Sequence, residues 1–60
     1  MYQIWVVWNR EFDWSYYTSK EDREVALTTA RSLINSGDGA RVKKIKVIDT
    51  KTDQIISCIS

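Results

Sequence analysis

The sequence predicts an α+β domain of ββαββ order, a four-stranded sheet with one helix packed on one face. Three observations predict it. Residues 2–8 are uncharged and mostly β-branched or aromatic, the composition of a strand. Residues 20–36 follow N-terminal capping signals and carry the spacing of one helical face. Residues 41–48 and 54–59 are two β-rich runs on either side of a short polar segment, as in a hairpin.

The elements follow in order. The first strand runs from Tyr2 to Trp8. Asn9-Arg10-Glu11-Phe12-Asp13 is polar enough to turn, and Trp14 to Thr18 reads as a short second strand closing a hairpin. The helix is expected at 20–36. Thr18-x-x-Glu21 is a capping box, overlapped by Ser19-x-x-Asp22, and Glu21, Asp22 and Glu24 set negative charge near the positive end of the helix dipole. Ala26, Leu27, Ala30, Leu33 and Ile34 share a face, and Gly37 is placed to end the helix in a left-handed conformation. Asp38-Gly39 turns the chain. Arg41 to Ile48 is a strand studded with lysine. Asp49 to Asp53 is a loop in which Asp53 is expected in the left-handed region, and Gln54 to Ile59 is a last, uncharged strand.

Composition narrows what such a fold can do. Sixty residues, 7.0 kDa, make a single domain, 1–60. A domain of this size buries only about 60% of the surface its unfolded chain exposes, so marginal stability is expected. The chain has no His, no Pro and one cysteine, Cys58. An intrachain disulfide is excluded, and so is histidine-dependent acid–base or nucleophilic catalysis within the chain. A structural zinc site needs ligands the chain lacks, and no cofactor is expected. Small secreted domains commonly carry several disulfides, so a cytoplasmic location is expected. The longest apolar run, Ile4 to Trp8, is far shorter than the roughly 20 residues that cross a bilayer, and no membrane partner is expected.

Net charge is +1, with nine basic against eight acidic residues. Its distribution is uneven. Residues 1–30 hold three basic and five acidic residues, residues 31–60 hold six and three, and all seven aromatics precede the helix. Charge also points to strand positions. The first and last strands are uncharged, with apolar residues on both faces, and are expected at the centre, parallel to one another. Lysine on the third strand reads as a blunted edge, and the short second strand as the other edge. The expected sheet is therefore mixed, in the order 2-1-4-3. This layout resembles a minimal β-grasp of the protein G type across the whole chain, through its helix position, final hairpin and length. The resemblance implies a fold and no binding residue, because no motif is shared. The layout is also similar to that of small phage-encoded inhibitor proteins.

One helix covers one face of four strands. That covered core is expected to hold Ile4, Val6, Trp8, Ile55 and Ile59 with Ala26, Ala30, Leu33, Ile45 and Val47, and Phe12 is expected to add bulk. The other face then carries Trp5, Val7, Ile56 and Cys58, bordered by Tyr17, Lys44 and Lys46. Apolar patches of this kind mark interaction sites. For Trp5, Trp14, Tyr16 and Tyr17 the choice between core bulk and exposed ring stays open. Cys58 reads as a small buried hydrophobe rather than a nucleophile. The run from Arg41 to Lys46 reads as a solvated edge ahead of a phosphate-binding strip.

These features point to a non-enzymatic interaction module, of the size of a phage or mobile-element accessory protein. It is expected to bind and inhibit a host protein or nucleoprotein machine through its open sheet face. The expected partner-binding residues are Trp5, Val7, Tyr17, Lys44, Lys46 and Ile56. A second reading is a nucleic-acid-binding module, in which Trp5 and Tyr17 stack on bases while Lys44 and Lys46 track phosphates. A third is a homodimer that buries the open face.

Overall fold

The computed structural model describes residues 1–35 and 42–59. Strand β1 is Tyr2–Trp8, β2 is Ser15–Lys20, helix α1 is Arg23–Asn35, β3 is Val42–Asp49 and β4 is Gln54–Ile59. The ββαββ order matches the sequence. Gly37, the Asp38-Gly39 turn and Arg41 lie outside the described residues.

The sheet differs from the expected one. Its order is β2-β1-β3-β4, and every neighbouring pair is antiparallel. β1 pairs with β3, and β4 is an edge. The mixed 2-1-4-3 sheet is thus corrected, and the β-grasp arrangement with it. β2 and β3 run in the same direction, each antiparallel to β1, and α1 makes the crossover between them. The physical reason lies in β3. Ile45 and Val47 are buried on the helix side, whereas Lys44 and Lys46 alternate onto the side that no helix covers. In a sheet with one wet face, a central strand keeps its lysines hydrated. Lysine density therefore marked the open face, and not an edge.

The core is the cluster of Ile4, Val6, Ala26, Ala30, Leu33, Ile45 and Val47, with Tyr2, Trp8, Leu27, Val42 and Ile56 packed against it. Ala26 and Ala30, one turn apart, bring the helix close over β1 and β3. Three expectations about the core need correction. Phe12 is 91% exposed in the β1–β2 loop, Ile55 is 57% exposed, and Cys58 is an exposed free thiol.

Bulges account for the misassigned faces. Each pairing in the sheet skips one residue: Tyr17 between β1 and β2, Lys43 between β1 and β3, Ile56 between β3 and β4. An extra residue shifts the alternation of side chains by one. Beyond the β4 bulge, Ile56 takes the core position intended for Ile55. At the turn before β4, Asp53 has φ 56°, as expected, and the Asp49 carboxylate accepts the Lys51 amide at 2.9 Å.

The helix starts later than its capping signals imply. Asp22 is the N-cap: its Oδ1 accepts the Glu24 amide at 2.8 Å, and its carbonyl accepts the Ala26 amide at 3.0 Å. The Thr18 capping box goes unused because β2 continues to Lys20 and draws Thr18 and Ser19 into the ladder with β1. Asp22→Ala is expected to cost about 1 kcal/mol, and Asp22→Asn much less. A lower urea midpoint at unchanged slope, for the first variant only, is the measurement that checks this.

Candidate functional site

The open face of the sheet follows from the register. Trp5 on β1 sits opposite Tyr16 on β2 and Lys46 on β3. Val7 sits opposite Lys44, and Gln3 opposite Ile48. On β4, Cys58 lies across from Lys46 and Ile55 across from Ile48. Alternation puts all of these on the side away from α1.

The rings on this face hold one another. Trp5 and Tyr16 meet edge to face, with centroids 5.7 Å apart and planes at 65°, a favoured aromatic geometry. The Trp5 indole N–H donates to Gln3 Oε1 at 3.2 Å. Trp14, the residue before β2, reaches the same side of the sheet, where the Lys46 ammonium lies 4.3 Å from its ring centroid and 6.0 Å from that of Trp5. Lys46 is thus within reach of a cation–π attraction to each of two indoles. Val7 is only 3% exposed although it lies outside the helix-packed cluster. Side chains of the open face itself therefore bury it.

A second cation–ring pair anchors the β1–β2 loop. Lys43, the bulged residue of β3, donates from Nζ to the Glu11 carbonyl at 3.2 Å and lies 5.0 Å from the Phe12 ring centroid. The Ser15 hydroxyl donates to the Glu11 carboxylate at 3.3 Å, and the Glu11 amide to the Trp8 carbonyl at 2.9 Å. The loop that carries Phe12 is therefore tied at both ends.

Of the six residues expected on this surface, the structure gathers Trp5, Val7, Lys44 and Lys46. It separates the other two. Tyr17, bulged out of register, sets its ring against Trp8 at 6.3 Å, and Ile56 packs against the core. Trp14, Tyr16, Ile48 and Ile55 join the face instead. The Trp5–Tyr16 pairing was legible only with the bulge at Tyr17 in hand. Nothing in the sequence marks Trp14 as folding over the sheet.

Among the residues that the ladders set on the open face, Lys44 and Lys46 are charged and none is acidic. A shallow groove lined by Trp8, Asn9, Arg10 and Glu11 lies at one end of the sheet. Among the described residues, no three of His, Cys, Asp and Glu cluster as metal ligands would, and no helix is long and apolar enough to cross a membrane. No family model matches the chain, and neither curated proteins nor solved structures give a significant match.

Proposed function

We propose that this protein is a non-enzymatic binding module that holds a macromolecular partner on its open sheet face. One observation carries the reading: on the side opposite the helix Lys46 lies over the rings of Trp14 and Trp5, and Tyr16 packs edge to face on Trp5. Trp and Tyr dominate interface hot spots, and rings already fixed by their neighbours lose little entropy on binding. Size and layout extend the reading to a phage or mobile-element accessory protein that inhibits a host protein or nucleoprotein machine in the cytoplasm. The test is retention of a partner from host lysate, followed by titration of that purified partner against wild type and Trp5→Ala. Equal affinity of the two overturns the reading.

A second reading, binding of single-stranded nucleic acid, is favoured by Lys46 beside the Trp5 and Trp14 rings, with Lys44 on the same face and no acidic residue among those that the ladders set there. Lys44→Ala discriminates between the two. With a labelled single strand, it is expected to weaken binding and lower the salt slope by about one. With a protein partner, it is expected to slow association and leave dissociation nearly unchanged. Fluorescence anisotropy with the oligonucleotide and stopped-flow mixing with the protein, each at several salt concentrations, read these outcomes.

A further inference from the structure

We propose that β4 is a self-pairing edge. Two copies of the chain join β4 to β4 in antiparallel fashion, about a two-fold axis between Ile56 and Ser57, and form one eight-stranded sheet.

The first ground is an edge without protection. An edge strand presents a row of unpaired backbone N–H and C=O groups, and proteins usually guard it with charge or proline. Residues 54–59 contain neither. Ile55 is 57% exposed there, and Cys58 is exposed beside it. The opposite edge, β2, ends on Lys20 and is mostly polar. Because β4 is uncharged throughout, pairing it with a copy of itself opposes no like charges in any register.

The second ground is the order of faces along β4, and it selects a second copy over an arbitrary peptide. Gln54, Ser57 and Ile59 lie opposite Asp49, Val47 and Ile45, which places them on the helix side, and Ile56 packs against the core there. Ile55 and Cys58 lie opposite Ile48 and Lys46, on the open side. From 54 to 59 the sides therefore read helix, open, helix, helix, open, helix. This order is unchanged on reversal. A regular six-residue strand alternates, so reversing it swaps the two sides and its full length cannot pair with itself in register. The bulge at Ile56 removes that mismatch. Every residue of β4 then meets one of its own side on the other copy: 54 with 59, 55 with 58, and 56 with 57.

Isologous contacts of this kind are the commonest basis of homodimers. Here the contact sets Ile55 beside Cys58 of the other copy twice, covering the most exposed isoleucine of the sheet. It also makes the two open faces continuous. The dimer covers only the Ile55 margin of the open face and leaves Trp5, Trp14 and Tyr16 free, so it does not depend on the function proposed above.

The test combines sedimentation with cross-linking on the full chain. Wild type is expected to move from 7.0 kDa to twice that mass as concentration rises through the micromolar range. Ile55→Lys is expected to remain monomeric with an unchanged circular dichroism spectrum. Ile55→Cys, under a mild oxidant, is expected to give a covalent dimer through Cys58 of the second copy. Residues directly opposite in an antiparallel ladder have Cα atoms about 4.5–5.5 Å apart, within disulfide range. The two wild-type Cys58 residues lie three positions out of register, about 10 Å along the strands, and should cross-link poorly. A wild type that stays monomeric up to millimolar concentration overturns the proposal. So does a dimer that survives Ile55→Lys, or an Ile55→Cys variant that cross-links no better than wild type. A dimer lost in Trp5→Ala but kept in Ile55→Lys would place the seam on the open face and overturn it equally.

Discussion

Ile4→Ala is expected to leave the domain at the edge of unfolding. Ile4 has no exposed surface, and its cross-strand neighbours are Thr18 on β2 and Val47 on β3, so it sits in the middle of the sheet beneath the helix. Removing a fully buried isoleucine side chain costs about 2–5 kcal/mol, from lost transfer energy and the cavity left behind. Folded domains hold only about 0.05–0.15 kcal/mol of stability per residue, which for a chain this short is only a few kcal/mol. The two quantities are comparable, and few polar contacts are at hand to offset the loss. Thermal unfolding followed by far-ultraviolet circular dichroism checks it. A melting temperature within a few degrees of wild type would mean that the cluster can collapse around the missing side chain.

The second large effect concerns binding. Trp5→Ala is expected to weaken partner affinity by at least about 2 kcal/mol, roughly thirtyfold, the usual threshold of a hot spot. Its ring meets Tyr16, its indole N–H meets Gln3, and it flanks Lys46. Truncation removes contact area and also frees two neighbours from their bound geometry. The fold should survive, because Trp5 lies outside the cluster that packs on the helix. Trp5→Phe keeps an aromatic ring in place and should restore most of any stability lost, while still lacking the N–H. Titration beside circular dichroism on both variants reads binding and folding separately. A folded Trp5→Ala protein with unchanged affinity removes this surface from consideration.

Local signals were the legible ones. Five elements, their order, the helix-side residues of β1 and β3, the core-facing Ala26, Leu27, Ala30 and Leu33 of α1, and the left-handed Asp53 can all be read from periodicity and turn chemistry, whereas Ile34, on the same expected face, is 39% exposed. Strand order is not legible, because charge on a strand reports which of its sides is wet and not its place in the sheet. Lys44 and Lys46 are charged because their side of β3 is wet, and β4 is uncharged although it stands at the edge. Residue-by-residue faces failed wherever a bulge intervened. The alternation that correctly separates Ile4 from Trp5 misplaces Tyr17 and Ile55, each next to a skipped position or at one. Bulges arise from how two strands fit together, a property of the pair that neither strand displays alone. The Trp14–Lys46 contact was hidden for a related reason, since it joins a loop to a strand more than thirty positions away.

The seam between β1 and β3 has a consequence for how the chain reaches this state. The two hairpins and the helix are each local, but the strands at the centre of the sheet are joined across about forty residues of sequence. Closing a loop of that length costs on the order of 3 kcal/mol in chain entropy before any contact is gained. Until it closes, each hairpin is a two-stranded ribbon, marginal in water at best, and Ile4, Val6, Ile45 and Val47 have no shared interior to enter. The halves therefore have little stability apart from one another. Folding becomes a single search for the meeting of β1 with β3, slower than a helical bundle of equal length would need, and the barrier to forming the molecule lies in the same seam that holds its centre.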